Sequence, residues 1–512
     1  MILNGKEYLE RLRDGRVVYI GGERVDDVTT HPAFRNAARS YAKIYDARFD
    51  SRYRDILTFD ENGERFPSYY LMPRSRADLE HRTRCNEVIA DLTYGMMGRS
   101  PDFIGGYVSG AAMQADVLNT PQHEFAEHMR QYYGYARQND IFLSHAVTPP
   151  QGSRDQKFSQ REAIKVPSLT VTSEDDDGVV VSGMKMLATS AVFSDEVWIG
   201  NVQPLAQGHE RESITCIVPC NAPGLTLWSR KSFERYAVSE FDNPLAYRYD
   251  ESDCIVMCEN VKVPWERIFT HDDIQLSRDI YFKTPAHTLS NHQSSVRYRS
   301  KMRLLLGLAR RGTQLSGIDK VPAVADEIGH LAATYGILSS MIDGQIQAFE
   351  TLDNGFVNYN RFYMYAAIYF ATQNYDAICS KVRELSGGGV LQMPADTSVM
   401  QTEHTRELFE DLWTTPTATA LDRYKVAKLT WDLIGTDFAG RHMQYERFYM
   451  GPGYVVRGHN SRECPWSEVD DYLDGLLGSY DIGPVLHQGR VDEQQTTPSE
   501  TISNKNRATR SS

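Results

Sequence analysis

The feature that most constrains the fold is a change of texture along the chain. Between about residues 140 and 270, short β-branched and aromatic runs are broken by Asp, Gly, Asn and Pro. On both sides, apolar residues instead recur at three and four spacing, the signature of helices that bury one face. The runs are Val166–Thr172, Gly178–Met186, Glu196–Val202, Ser213–Val218, Gly224–Trp228 and Cys254–Val263, and Glu174–Gly178 is a strong hairpin turn. Strands gathered in one block, rather than alternating with helices, exclude a parallel α/β sheet. The pattern predicts a multidomain protein of α and β parts. It has an N-terminal helical domain over 1–138, a self-contained antiparallel barrel or sandwich over 139–272 and a C-terminal helical bundle over 273–485. Residues 486–512 are polar and are expected to be a disordered tail.

Within the leading block, Thr30 is a candidate cap for a helix beginning near Pro32, and Phe34 to Ala47 has helical spacing. Ala77 to Tyr94 reads as another helix, ending in Gly95-Met96-Met97-Gly98-Arg99 before a Ser-Pro helix start. Free amides at that start, with Arg99 beside them, suit an anion, although an exposed loop arginine fits the same letters. In the trailing block, Ser294–Arg311, Ala323–Thr351, Tyr359–Leu385 and Thr417–Gly435 are long enough for an antiparallel bundle. Ser386-Gly387-Gly388-Gly389 follows a helix rather than a strand, so it reads first as a helix stop and second as a ligand loop.

Composition narrows the function classes. A formal net charge of -13 argues against nucleic acid or an anionic membrane as the main partner. No apolar run reaches membrane length and no secretory signal pattern opens the chain, so a cytoplasmic protein with free thiols is expected. Cys216 and Cys220, like Cys254 and Cys258, fall in predicted strands. Four strand residues separate side chains by roughly 13 Å, too far for one ion, so no metal is expected. There is no G-x-G-x-x-G after a strand, no Walker loop, no H-E-x-x-H and no G-x-S-x-G elbow.

Chemistry concentrates at the junction Asn139–Arg154. The apolar run Ile141–Leu143 delivers His145, then Ala146 and Val147, into a turn stiffened by Pro149-Pro150. Such a histidine either satisfies one carbonyl in a core or faces a ligand. The company of Gly95–Phe103 upstream and Thr189 downstream favours the ligand. Twenty-nine tyrosines and twenty phenylalanines would suit a flat aromatic ligand, though most must fill the core.

These segments resemble those of the oxygenase components of two-component, reduced-flavin-dependent aromatic monooxygenases, the 4-hydroxyphenylacetate 3-monooxygenase family. The resemblance runs from about residue 3 to 480. It rests on Gly5–Leu9, Asp14-Gly15-Arg16, Asp27–Arg35, Tyr94–Asp102, Ser144–Pro150 with Arg154, Gly183 to Ser190, Asn260–Glu266 and Gly435–Tyr449. It implies an acyl-CoA dehydrogenase-like fold: helical domain, middle β-barrel, C-terminal four-helix bundle. It also implies FAD, taken as FADH2 from a separate NAD(P)H:flavin oxidoreductase, with O2 as co-substrate, and a homotetramer. The activity implied is ortho-hydroxylation of a para-substituted phenol to a catechol through a C4a-hydroperoxyflavin.

By the same resemblance, Arg99 and His145 face the phenolic oxygen, and Thr189 is placed to hydrogen-bond the reduced flavin near N5. Phe103 stands where the typical 4-hydroxyphenylacetate enzyme has a tyrosine, which leaves a halo- or nitrophenol open as the substrate. Asn201 and Val202 lie on a substrate-contacting stretch. His145, Ala146, Val147, Gln151, Gly152, Ser153, Arg154, Met186, Thr189, Ser190, Arg441, Tyr449 and Gly451 lie on flavin-contacting segments. Among rivals of the same superfamily, a 4-hydroxybutyryl-CoA dehydratase needs three cysteines and a histidine for an iron–sulfur cluster. Here the helix before Met96 has only Cys85, and no cysteine follows Arg278 until Cys379. An acyl-CoA dehydrogenase needs a catalytic glutamate, and nothing marks Glu327 or Glu350 as one. A scaffold that had lost its chemistry would have no reason to keep Arg99, His145, Arg154 and Thr189.

Overall fold

In a computed structural model of the protein, the residues described are 2–150, 168–449 and 451–480. The chain divides into two compact units, Met1–Arg462 and Glu463–Ser512. In the second, the described element is the helix Trp466–Leu477.

The β structure of Met1–Arg462 departs from the expected barrel. Six strands form one sheet in the order Glu23–Val25, Val17–Ile20, Leu225–Ser229, Asp253–Pro264, Gly178–Thr189, Thr170–Asp175. Four form another in the order Ile268–Thr270, Thr215–Pro219, Glu196–Ile199, Leu143–Ala146. Neither closes on itself. The β block is not self-contained either, because two strands of the large sheet come from the leading region that reads as helical. Val17–Ile20 pairs in parallel with Leu225–Ser229, and Leu143–Ala146 pairs in parallel with Glu196–Ile199. Parallel pairing needs a long crossover, and the intervening helices and strands supply one. A run as short as Val-Val-Tyr-Ile has no alternation to announce it, so its partner is decided by packing. The predicted hairpin is present: Thr170–Asp175 and Gly178–Thr189 pair antiparallel across Asp176-Asp177.

The helices that the periodicity picks out are present, and Phe125–Gln138 adds one that it does not. Arg35–Ala47, Arg76–Leu92, Pro101–Met113 and Phe125–Gln138 precede the β block. Ala286–Leu315, Pro322–Gln347, Arg361–Ser386 and Ala420–Ile434 follow it, the first three packed on one another. Gly387, at φ +53, ends the third of these, as a helix stop should. Thr30 does not cap the Arg35–Ala47 helix. That role falls to Glu234, whose carboxylate accepts the Asn36 and Ala37 amides at 2.8 and 3.0 Å. Pro101–Met113 is buried along its whole length and, apart from Asp102, Tyr107 and Ser109, is made of apolar and small residues. Gly110 lets it approach the start of Ala286–Leu315, since a Cβ there would sit 2.4 Å from the Ala286 nitrogen. This central helix carries Phe103 and Tyr107 to the middle of the molecule. Among the described residues, no helix is long and apolar enough to cross a membrane.

Candidate functional site

Arg99 sits in the turn between Arg76–Leu92 and the central helix. Tyr94 and Gly95 take left-handed backbone there (φ +51 and +71), which folds the turn back on itself. The guanidinium carbon of Arg99 lies 3.8 Å from the centroid of the Phe103 ring and 3.9 Å from that of Tyr449. Its Nη2 donates to the Tyr449 carbonyl at 3.4 Å, and the Tyr449 hydroxyl donates to the Gly98 carbonyl at 3.3 Å. A Cβ on Gly98 would lie 2.2 Å from the Tyr445 hydroxyl, so this turn and the helix Asp437–Phe448 close on each other without spare room. Arg99 is buried, and among the described residues its Nη1 has no partner.

His145 arrives from the other direction, third in the strand Leu143–Ala146, opposite Trp198. Its ring lies 5.5 Å from Phe103 and 5.9 Å from Tyr107. Burial, and after it the charge of Arg99, holds the imidazole well below its ordinary value. It is therefore neutral at neutral pH and able to accept a proton. Its Nδ1 is buried and, among the described residues, has no partner. Phe103 thus stands between a cation and a neutral base, each keeping one unsatisfied polar atom.

A second group adjoins the first. The Thr189 hydroxyl donates to Asp253 Oδ1 at 2.7 Å, and Arg441 forks onto the same carboxylate with Nε to Oδ2 at 2.9 Å and Nη2 to Oδ1 at 2.6 Å. Arg230 adds a bond to Asp253 Oδ2 at 2.7 Å. Burial works to raise the Asp253 carboxyl, but Arg441 and then Arg230 overcome it and hold the group ionised, far below the usual range. Glu251 joins the two groups. Its Oε1 accepts from Arg441 Nη1 at 3.1 Å, and its Oε2 accepts the Arg99 amide at 3.1 Å and the Ser190 hydroxyl at 3.3 Å. Ser190, at φ +68, turns the chain just after Thr189 and donates its amide to Ser252. Met186 donates its amide to the Thr148 carbonyl at 2.8 Å, which lays the segment after His145, with Ala146 and Val147, beside the Thr189 strand.

The structure therefore brings Arg99, Phe103, His145 and Tyr449 together, and sets Thr189, Ser190 and Arg441 next to them. Asn201 is engaged elsewhere. Its Oδ1 accepts from the buried Lys185 ammonium at 2.6 Å and its Nδ2 donates to the Glu212 carbonyl at 2.7 Å, so it ties one end of a loop to the other. Val202, half-buried, packs on the core at the start of that loop. Gly451 takes φ +87 in the turn after Asp437–Phe448. Gln151, Gly152, Ser153 and Arg154 lie outside the described residues. Sequence reasoning missed Glu251, Asp253, Tyr107 and Tyr445. No motif in the sequence marks Asp250-Glu251-Ser252-Asp253, and only the fold turns it inward onto Arg230 and Arg441. A surface cavity of about 480 Å3, lined among others by Ile2, Arg48, Phe49, Arg54 and Phe66, contains none of the site residues.

Two family models cover almost all of this chain: 4-hydroxyphenylacetate 3-hydroxylase N terminal over residues 4–270 and its C terminal over 277–478. The chain belongs to the 4-hydroxyphenylacetate 3-hydroxylase family. It is a flavin-dependent aromatic monooxygenase, of the kind that works with FAD and O2. One relative is the 4-hydroxyphenylacetate 3-monooxygenase oxygenase component of Thermus thermophilus, 30% identical over 88% of this chain and 92% of that protein. Another is the oxygenase component of 4-nitrophenol 2-monooxygenase from a Rhodococcus species, 30% identical over 89% of this chain and 87% of that protein. Among solved structures, the oxygenase component HpaB complexed with FAD and 4-hydroxyphenylacetate superposes with a TM-score of 0.86. It is 29% identical and covers 94% of this chain and 100% of that one.

Proposed function

We propose that this chain is the oxygenase component of a two-component system that ortho-hydroxylates a para-substituted phenol to a catechol, with reduced FAD delivered by a separate NAD(P)H:flavin oxidoreductase. The observation that carries the reading is the pair of buried atoms Arg99 Nη1 and His145 Nδ1 around Phe103, which have no partner among the described residues. Burying polar groups without partners is costly, and a bound phenol offers both atoms one. Its oxygen, close to Arg99, is favoured as phenolate, because a free phenol has a pKa of about 10 and a buried cation lowers it. His145, neutral in this setting, takes the proton. Phenolate pushes electron density to the ortho carbon, where hydroxylation occurs.

The residues also fit the flavin. Bound reduced FAD supplies, with O2, the electrophilic oxygen that the ring attacks. Thr189 would face its N5 edge, and Ala146, Val147, Met186, Ser190, Arg441, Tyr449 and Gly451 belong to the segments that would hold it. The depth of Arg99, His145 and Thr189 keeps water from the reacting oxygen. The working form is a homotetramer in the cytoplasm, fed with FADH2 by diffusion.

Phe103 favours a second substrate reading within the same chemistry. Without the hydroxyl of a tyrosine, the pocket suits a phenol carrying a halogen or nitro group as well as 4-hydroxyphenylacetate. The test is a panel of phenols with FADH2, O2 and a flavin reductase, following catechol against hydrogen peroxide. Catechol from one class of phenol identifies the substrate, and peroxide alone from every phenol defeats the reading.

A further inference from the structure

The Thr189 hydroxyl has one hydrogen, and the structure spends it. It is donated to Asp253 Oδ1 at 2.7 Å. The acceptor cannot exchange roles, because an ionised carboxylate only accepts, and two arginines hold this one in place through three hydrogen bonds. Arg441 is itself anchored on Glu251, and Thr189 is buried. What the hydroxyl can offer a ligand is therefore its lone pairs alone.

This matters for a flavin, because the two redox states differ at N5. The reduced ring carries a hydrogen there and donates. The oxidised ring has a bare nitrogen and accepts. Resting on the placement of Thr189 at the N5 edge proposed above, we infer that Asp253 is a positioning residue that fixes Thr189 as an acceptor and so makes the site select reduced over oxidised FAD. A hydroxyl free to rotate would serve both states equally. One locked by Asp253 rewards the reduced state and leaves the oxidised nitrogen facing a lone pair. For a protein that must capture FADH2 from solution and release FAD after turnover, this discrimination is built from one side-chain orientation.

The experiment is anaerobic equilibrium binding of FADH2 and aerobic binding of FAD to the full-length protein, read by fluorescence, for wild type, Thr189→Val and Thr189→Ser. Valine keeps the shape and removes the hydroxyl. The expected result is that Thr189→Val weakens FADH2 binding about tenfold, the worth of one hydrogen bond of about 1.4 kcal/mol, leaves FAD binding unchanged, and lowers the midpoint potential of the bound flavin. Thr189→Ser restores the wild-type pattern. Equal weakening of both redox states, weakening of FAD alone, or no change in either overturns the inference. Asp253→Asn, if it folds by thermal melting, adds a second arm: freeing the hydroxyl narrows the difference between the two flavin states, and an unchanged difference counts against Asp253. A wild-type protein that binds neither flavin sinks the functional reading itself, and is thereby told apart from failure of this inference.

Discussion

Two arginines 342 positions apart in sequence order, Arg99 and Arg441, are held in opposite ways. Arg441 is saturated: Asp253 takes its fork and Glu251 its remaining reach. Among the described residues, Arg99 has no carboxylate on its guanidinium. It lies on the faces of two rings, donates once to a carbonyl and keeps one nitrogen unpartnered among the described residues. The contrast teaches which charge is architecture and which is available. A cation neutralised by two carboxylates has little left to give an anion. One cushioned only by aromatic faces has its field still to offer, and it already presses on His145.

The contrast can be broken at its strongest point first. Substituting His145→Ala should lower hydroxylation about 100-fold or more, the usual scale for a general base, while FADH2 affinity stays near wild type. Equal losses in catechol formation and flavin binding would mark His145 as structural. Arg99→Met should lower catechol formation by about 100-fold, as for loss of a charge-stabilising donor, with thermal stability nearly unchanged. Arg441→Met should do the reverse. Leaving Glu251 without its cation and Asp253 with Arg230 alone is expected to cost about 3 kcal/mol of stability, seen in melting or urea unfolding, with a smaller effect on catechol formed per bound flavin. If Arg99→Met unfolds the protein and Arg441→Met silences the chemistry in a stable one, the two roles are exchanged.

Smaller effects sharpen the same comparison. His145 works as a neutral base, and its folded pKa lies below 6.5, so activity should hold as pH falls through the ordinary imidazole range and be lost only below it. Burial is the larger cause and survives in Arg99→Met. The Arg99 charge is the second cause and is removed there, so the residual activity of that variant should fall off at a higher pH than wild type. A pH profile of catechol formed per O2 consumed measures both. The smallest change is Phe103→Tyr. One added hydroxyl is worth about 1 kcal/mol when it finds a partner, so it should shift preference among phenols by less than about tenfold and lower KM for 4-hydroxyphenylacetate.

Much of the architecture was legible in the residues, and the reason is local. Helical spacing around Arg76–Leu92 or Arg361–Ser386, and the Asp-rich turn before Gly178, are patterns that a few consecutive residues impose through backbone geometry. The family motifs likewise marked Arg99, Phe103 and His145, which the fold brings around one ring. Illegible from sequence were the partners. Val17–Ile20 joins a strand more than 200 residues away, and the β block forms two open sheets instead of closing as a barrel. Glu234 caps a helix that a nearby threonine was expected to cap. Asn201, expected near substrate, is taken by Lys185.

By itself, then, the sequence determined the kinds of element, their order and the types of side chain available for chemistry, because these depend on spacing along the chain. Whether a given charge is spent or left available was decided only in three dimensions. Nothing in the sequence assigns Asp253 and Glu251 a partner; the sheet and the helix Asp437–Phe448 set them against Arg230 and Arg441. The hydrogen of Thr189 has no direction until that carboxylate is in place. Desolvation and pairing depend on neighbours brought from distant parts of the chain, and no stretch of consecutive residues encodes them.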